Sequence, residues 1–326
     1  MATNLYILGP QGPQENLVSL INQLINAGTL SKNPSPIAVV STGWRHDEDS
    51  IDALVEALPI NLSLLPLYGW FDLLGNKEPD LSQMHADRQK KIKQHKEFYR
   101  EQLHFHMNLW KKYNIRRQAN AAFKTEEDTA FKNLKRCDDE MLASLENIRT
   151  SYPKLQQAWL HPSAKQYHEK IKEELNRAQA LLITGGHAAV LRNRFIFFGM
   201  HRLLKDFLLS GKPIIAWSAG AMVLTDKIVL YYDNPPQGEG HAEILDYGIG
   251  LLPRMIFFPH AHERLNLDSS SRIKQLAKRF DPYLCIGLEN GAKLHFNGRD
   301  LKDLGPKETS FIMSSKGALS SINTTD

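Results

Sequence analysis

A serine at the turn between an apolar strand and a helix is the first feature of this sequence that could do chemistry. The run Pro213–Ala216 predicts a buried strand, and Ser218 follows it, next to the small residues 219–221. Such small neighbours let the backbone fold back sharply, as in a nucleophile elbow, and the turn pushes the hydroxyl out over the sheet edge. The N–H groups of the next helix point at the serine, where an anionic intermediate would form. The alternative is an ordinary strand-to-helix turn that happens to contain serine.

Three further apolar strands end in residues that could assist this serine. One ends at Gly185-Gly186, one runs from Met255 to Phe258 into Pro259-His260, and one ends at a turn that bears Glu289. A returning strand is expected after that turn. Because the carboxyl ends of strands in parallel α/β sheets line the crevice where ligands bind, we expect these residues to meet there. Histidine suits the removal of the serine proton near neutral pH, and an acid behind the ring fixes its tautomer.

His262 competes with His260 for the role of base. The two residues lie two positions apart in the sequence. In an extended segment they would point the same way, so the spacing alone does not separate them.

These motifs resemble the serine peptidase family of dipeptidase E (aspartyl dipeptidase) and cyanophycinase, which shares the class I glutamine amidotransferase-like fold. The matching segments are the Gly-Gly strand end at 185–186, SAGA at 218–221, GIGLLP at 248–253, Pro-His at 259–260 and IGLENGA at 286–292. The resemblance implies that Ser218 is the nucleophile and His260 the general base and acid. It also implies that the backbone N–H groups of Gly186 and Ala219 form the oxyanion hole.

The resemblance leaves the third member of the triad open. Glu289 is the only acid in its turn, but an ungapped count places Asn290 at the usual glutamate position. Asp233 lies at about the same distance after the serine as a functional aspartate in dipeptidase E-like sequences. Glu289 ranks first, Asp233 second and Asn290 third.

The resemblance also suggests how a substrate would be held. Family members that cleave after aspartate, or at isoaspartyl-arginine bonds, use basic groups to bind the substrate carboxylate. Arg264 matches a family arginine, and Arg272 matches another in poorer register. A guanidinium pairs bidentately with a carboxylate. An ordinary surface arginine without a substrate role is an equally good interpretation of Arg264. His187, just after the Gly-Gly loop, is expected to face the crevice.

The composition is that of an ordinary globular enzyme. The chain has 326 residues, of which 42% are hydrophobic and 23% charged, and its formal net charge is only +4. This charge gives no case for a nucleic-acid partner. The two cysteines lack metal-type spacing, and neither occupies the elbow, which argues against a glutamine amidotransferase proper. The histidines at 95, 104 and 106 lack a recurring ligand pattern, so neither a metal nor a cofactor is expected. With no signal peptide and no membrane-length apolar run, we expect a cytoplasmic protein without a membrane partner.

The order of the elements predicts an α/β fold with a doubly wound, mostly parallel sheet in three αβα layers. Residues 1–78 and 179–326 alternate strands and helices and would form the catalytic domain. Residues 79–178 are densely charged, nearly free of glycine and proline, and apolar at helical spacing. They predict an inserted helical hairpin or bundle, which could shield the crevice or build a homo-oligomer interface.

Three functions follow from these observations. The first is a serine hydrolase that cleaves a small peptide or amide substrate through an acyl-enzyme. The second is a non-catalytic binding or regulatory member of the same fold that uses the helical insertion. The third is an esterase or acyltransferase on the same triad, which the sequence does not distinguish from a peptidase.

Overall fold

The strands coincide with the short apolar runs of the sequence. The computed structural model describes residues 4–12, 15–233 and 240–322. Its strands, in chain order, are β1 Leu5–Leu8, β2 Ile37–Val40, β3 Leu62–Leu64, β4 Ala180–Ile183, β5 Ile214–Trp217, β6 Lys227–Leu230, β7 Glu243–Tyr247, β8 Met255–Pro259, β9 Leu284–Leu288, β10 Lys293–Phe296, β11 Leu301–Asp303, β12 Ser310–Met313 and β13 Leu319–Ser320.

The helices connect these strands and fill the long segment between β3 and β4. They are α1 Leu17–Asn26, α2 Asp52–Ala57, α3 Leu67–Lys77, α4 Pro79–Ala119, α5 Lys124–Thr150, α6 Pro153–Gln156, α7 Pro162–Arg177, α8 Ala188–Phe197, α9 Met200–Leu209, α10 Ala219–Leu224, α11 Ala261–Arg264 and α12 Ser270–Phe280. No helix within the described ranges is both long enough and apolar enough to cross a membrane.

Within the described ranges, the central sheet has seven strands in the order β11-β10-β1-β5-β4-β2-β3. The five strands from β1 to β3 in that order are parallel, whereas β10 and β11 add an antiparallel edge. A second sheet has the order β13-β12-β9-β8, with β8 and β9 parallel. The predicted α/β fold with a mostly parallel sheet is therefore confirmed.

The strand after the Glu289 turn forms, but it does not return along β9. Instead, β10 pairs antiparallel with β1, with Leu5 opposite Phe296. The Gly9 N–H also donates to the carbonyl of Ala292 at 2.9 Å. The turn therefore carries the chain from the second sheet to the central one. Near the C-terminus, β12 pairs antiparallel with β9, and residues 323–326 lie outside the described residues.

Alternate residues of each central strand enter different apolar layers, because successive side chains of a strand point to opposite faces. Tyr6 and Leu8 pack with α1 on one face, while Leu5 and Ile7 join the larger cluster on the other. This larger cluster also contains Leu103, which lies on α4. We call α4 and α5 together the helical arm. Its buried side chains continue the apolar layer of the sheet.

Candidate active site

Ser218 lies at the carboxyl end of β5, in a backbone conformation that L-residues rarely adopt. Its φ is 50° and its ψ is −119°, and positive φ strains a residue that has a Cβ. Its N–H donates to the carbonyl of Leu8 at 3.2 Å, and its own carbonyl accepts from Met222 at 3.1 Å. These bonds fix the turn between β5 and α10, so the hydroxyl is held at the sheet edge.

Glycines allow the neighbouring loop and helix to approach this turn. A Cβ added to Gly185 would lie 3.2 Å from the Ser218 Cβ, and one added to Gly220 would lie 2.6 Å from the Thr184 carbonyl oxygen. Gly185 and Gly220 therefore bring the Gly-Gly loop, the serine turn and α10 into direct contact.

Among the described residues, two backbone N–H groups near Ser218 find no protein acceptor. Gly186 has a φ of 105°, and a Cβ there would lie 2.4 Å from the Gly43 carbonyl oxygen, so only glycine fits. That carbonyl accepts from the His187 N–H at 2.8 Å instead. Among the described residues, neither the Gly186 nor the Ala219 N–H donates a hydrogen bond to the protein. Both groups are therefore available to an oxyanion, as an oxyanion hole requires.

His260 follows β8 and begins the short helix α11. Its φ of 56° and ψ of 42° are left-handed, and its N–H donates to the Leu288 carbonyl at 2.9 Å. Its Nδ1 lies 3.3 Å from Glu263 Oε2, and its side chain is 32% exposed. Burial lowers the pKa of His260, as does the Arg264 guanidinium, whereas the Glu263 and Glu289 carboxylates raise it. The lowered pKa favours the neutral ring, which is the form that can accept a proton.

Glu289 contacts His262 rather than His260. Its Oε1 lies 2.9 Å from the backbone nitrogen of His262 and 2.9 Å from the ring Nδ1. The two histidines do not lie on an extended segment, because the left-handed turn at His260 places His262 inside α11. His262 also packs edge-on against Phe311, with the ring centroids 5.0 Å apart. The sequence pattern did not reveal this His262–Glu289 pair.

The other two candidates for the third triad position have different surroundings. Asp233 accepts hydrogen bonds from Arg272 with both carboxylate oxygens, one of them from Nε at 2.9 Å. Asp233 also accepts from the Asn266 N–H at 2.9 Å. The structure thus pairs Asp233 with Arg272, the second substrate-binding candidate. Asn290 Oδ1 is buried without a hydrogen-bond partner among the described residues.

The remaining two substrate-binding candidates flank the site. The Arg264 guanidinium lies 5.9 Å from the Tyr231 ring centroid and 5.0 Å from that of Tyr232. The Tyr231 hydroxyl donates to the Pro259 carbonyl, next to His260. His187 is exposed, and its ring accepts from the Val190 N–H at 3.4 Å at the start of α8.

Backbone hydrogen bonds to β1 and β9 connect the three predicted triad positions. Leu8 accepts from Ser218, Gly9 donates to the turn that bears Glu289, and His260 donates to the strand end that precedes that turn. In the described part of the chain, no hydrogen bond joins the Ser218 hydroxyl to either histidine ring. The backbone bonds alone bring together the strand ends that carry Ser218, His260 and Glu289. The sequence reasoning missed Glu263, although its position three residues after His260, on one helix face, could have indicated it.

Two known proteins resemble this chain, one in fold and one in the sequence of a short segment. The chain matches the crystal structure of a peptidase from an acI-B1 actinobacterium with a TM-score of 0.53 at 14% identity, over 100% of this chain and 96% of that one. That likeness shows the fold. The pyridoxal 5'-phosphate synthase subunit PdxT of Anoxybacillus flavithermus (strain DSM 21510 / WK1) is 36% identical over 66 residues, 20% of this chain and 34% of that protein. The chain thus matches about a third of the length of that relative.

The model of one peptidase family matches just under half of the chain, and the matched segment contains the serine turn, the histidine strand end and the Glu289 turn. This match supports a serine peptidase and confirms the resemblance inferred from the motifs. Residues 145–304 of the chain match the model of peptidase family S51.

Proposed function

We propose that this protein is a serine hydrolase that cleaves a peptide or amide bond through an acyl-enzyme. The observation that carries the proposal is the strained Ser218 turn near the N–H groups of Gly186 and Ala219, which have no acceptor in the described part of the chain. Two such donors could stabilise the oxyanion of a tetrahedral intermediate formed at this serine. The match to peptidase family S51 supports the same chemistry.

In the proposed reaction, the Ser218 hydroxyl attacks the substrate carbonyl carbon while a histidine takes the hydroxyl proton. The Gly186 and Ala219 N–H groups stabilise the negative oxygen that forms. The histidine then gives its proton to the leaving amine, and a water molecule hydrolyses the acyl-enzyme by the same steps.

We assign the base to His260. Its lowered pKa favours the neutral ring, and the nearby Glu263 and Glu289 carboxylates favour the imidazolium that forms during attack. His262 is the competing base, because Glu289 contacts its Nδ1 and would fix its tautomer. An Asn variant at each position separates the two roles.

For the substrate, we propose a peptide with an acidic side chain, as in dipeptidase E and cyanophycinase. Arg264 supports this choice because it lies one helical turn after His260 and its backbone N–H donates to the His260 carbonyl at 3.1 Å. A guanidinium there could pair with a substrate carboxylate. Replacing Arg264 by Gln should then raise KM for dipeptides with N-terminal aspartate more than for neutral dipeptides.

Fluorophosphonate labelling with peptide mapping tests the proposal before a substrate is known. We expect the label on the peptide that contains Ser218, and no label on the Ser218→Ala protein. Ser210→Ala is the matched control and should label normally, because Ser210 is a helix-end residue whose hydroxyl bonds the Phe207 carbonyl. Of His260→Asn and His262→Asn, the variant that abolishes labelling identifies the base.

Hydrolysis gives the second readout. Ser218→Ala should lower kcat by at least about 10⁴-fold while the protein stays folded. Equal rates for the wild type and Ser218→Ala would refute the assignment. A folded protein that neither takes the label nor hydrolyses any dipeptide would support the non-catalytic alternative instead.

A further inference from the structure

Four cations lie together where the helical arm meets α8. We call them the junction cluster: Arg88 and Lys96 on α4, Arg149 on α5 and Arg192 on α8. Their charges act on one another and on Asp246 of β7. The three arginines are at least nine-tenths buried. The cluster therefore places several positive charges in a poorly hydrated region.

The carboxylates at this junction do not balance the cations. Asp246 accepts a hydrogen bond from Arg149 Nη2 and lies 3.6 Å from Arg192 Nη2. Glu146 Oε2 lies 3.6 Å from Arg149 Nη1, beyond hydrogen-bond distance, and this side chain is 53% exposed. Among the described residues, these four cations therefore face one buried and one half-exposed carboxylate. Buried charge that lacks a counter-charge is strongly unfavourable.

Two buried guanidinium donors in the cluster also lack acceptors within the described residues. Arg88 is 7% exposed, and its Nε has no hydrogen-bond partner in the described part of the protein. The same holds for Arg149 Nη1. Since buried donors are almost always paired, these two indicate a missing acceptor.

Another buried arginine, Arg279, shows which hydrogen-bond acceptors a buried guanidinium has elsewhere in this molecule. Arg279 is 2% exposed. It donates to both oxygens of Asp138, at 2.7 and 2.6 Å, and to the Ala242 carbonyl at 2.7 Å. Arg88 is also buried, but its Nε has no such acceptor among the residues that the structure describes.

We propose that the junction cluster binds a small dianionic oxyanion, either a phosphoryl group or a dicarboxylate, on Arg88 Nε and Arg149 Nη1. Planar guanidinium groups match the oxygen geometry of phosphate and carboxylate groups. A dianion also matches the excess of two positive charges. The ligand would bridge the helical arm and α8, which starts directly after His187 and the Gly-Gly loop. The site would thus connect the arm to the candidate active-site loop.

Isothermal titration with inorganic phosphate and with succinate, in a buffer free of other polyvalent anions, tests the site and identifies the source of the anion. We expect the wild-type protein to bind at least one of the two. Arg88→Gln should weaken that binding about tenfold or more, because charge-assisted hydrogen bonds are lost. Arg88→Lys keeps the charge but loses the planar guanidinium. Its affinity for the anion should therefore lie between those of the wild type and Arg88→Gln. Arg136→Gln is the matched control, since Arg136 is a mostly exposed cation on the same arm, and it should bind as the wild type does.

Thermal melting without anions provides an independent readout. Arg88→Gln removes an unpaired buried cation, so this variant should melt at or above the wild-type temperature. A purely structural Arg88 would instead give a lower melting temperature. Ser218→Ala should bind the anion normally, so a failure of the proposed hydrolase would leave this result unaffected. The proposal is overturned if neither anion binds, or if Arg136→Gln weakens binding as much as Arg88→Gln.

Discussion

Ser218 and Arg45 have similar and unusual backbone conformations. The φ and ψ angles are 50° and −119° for Ser218, and 60° and −115° for Arg45. Glycine adopts this region without strain, whereas a side chain there costs roughly 1–3 kcal/mol. The backbone strain at Ser218 therefore lowers the stability of the fold while it fixes the position of the hydroxyl.

Replacing either residue by glycine should relieve this strain. After the entropic cost of glycine, we expect Ser218→Gly and Arg45→Gly each to raise the free energy of unfolding by about 1 kcal/mol. Urea denaturation measures both changes. Only Ser218→Gly should abolish hydrolysis and labelling. Loss of stability in Ser218→Gly, with a gain in Arg45→Gly, would mean that the serine side chain stabilises the fold.

The pKa of His260 should respond with opposite signs to two substitutions on its own helix. The Arg264 guanidinium lowers this pKa and the Glu263 carboxylate raises it. Arg264→Gln should therefore raise the pKa, and Glu263→Gln should lower it. NMR titration of the ring in the free protein measures both. Because the neutral ring is the base, the acid limb of kcat/KM should move to higher pH in Arg264→Gln and to lower pH in Glu263→Gln. Shifts of one sign in both variants would contradict the assigned surroundings.

The sequence located the serine and the histidine strand end but not the contacts behind them. Ser218 and His260 could be predicted because each follows an apolar strand in a short local motif. The Glu289–His262 contact depends on the left-handed turn at His260, which an extended-strand assumption misses. The pairing of Asp233 with Arg272 spans 39 residues, and local spacing carries no information about it.

Among the elements, the strands were more predictable than their pairing. Each apolar run formed a strand, because such runs are stable only when both faces are buried. The partner of β10 was not predictable, since it depends on the close approach of Gly9 to the Glu289 turn. A Cβ at Gly9 would lie 1.9 Å from the Glu289 carbonyl oxygen.

A buried polar network fixes the helical arm to α12. Arg279 on α12 forms a bidentate pair with Asp138 on α5. Tyr99 on α4 donates to Asp138 at 2.7 Å and accepts from the Ile244 N–H at 3.1 Å. Every member is hydrogen-bonded, so the network specifies how the two arm helices sit against the core.

Asp138→Ala should leave the Arg279 guanidinium buried without its carboxylate. We expect a loss of about 3–5 kcal/mol in the free energy of unfolding, as for other broken buried ion pairs. Urea denaturation measures the loss. Asp139→Ala is the matched control, because Asp139 is 71% exposed and forms a surface ion pair with Lys227 at 3.7 Å. It should change stability by less than about 1 kcal/mol. Equal effects would show that the buried network does not anchor the arm.

Across the whole molecule, the arm and the sheet share one apolar core, although the family match covers them unequally. The match to peptidase family S51 begins at residue 145, near the end of α5, and so excludes most of the arm. Yet Leu103 and Leu134 of the arm belong to the same buried cluster as Leu181 of β4 and Phe257 of β8. Since apolar contact is continuous between them, we expect the arm and the sheet to unfold together.

Hydrogen exchange followed by mass spectrometry tests this cooperativity. Leu103→Ala should cost about 2–5 kcal/mol, because Leu103 is 1% exposed and its loss leaves a cavity. If the core is shared, peptides from β4 and β5 should lose as much protection as peptides from α4. Phe98→Ala, on the same helix but 59% exposed, should leave protection almost unchanged. Loss of protection confined to α4 and α5 would show instead that the arm opens independently, because its contacts with the sheet would then be too weak to couple the two.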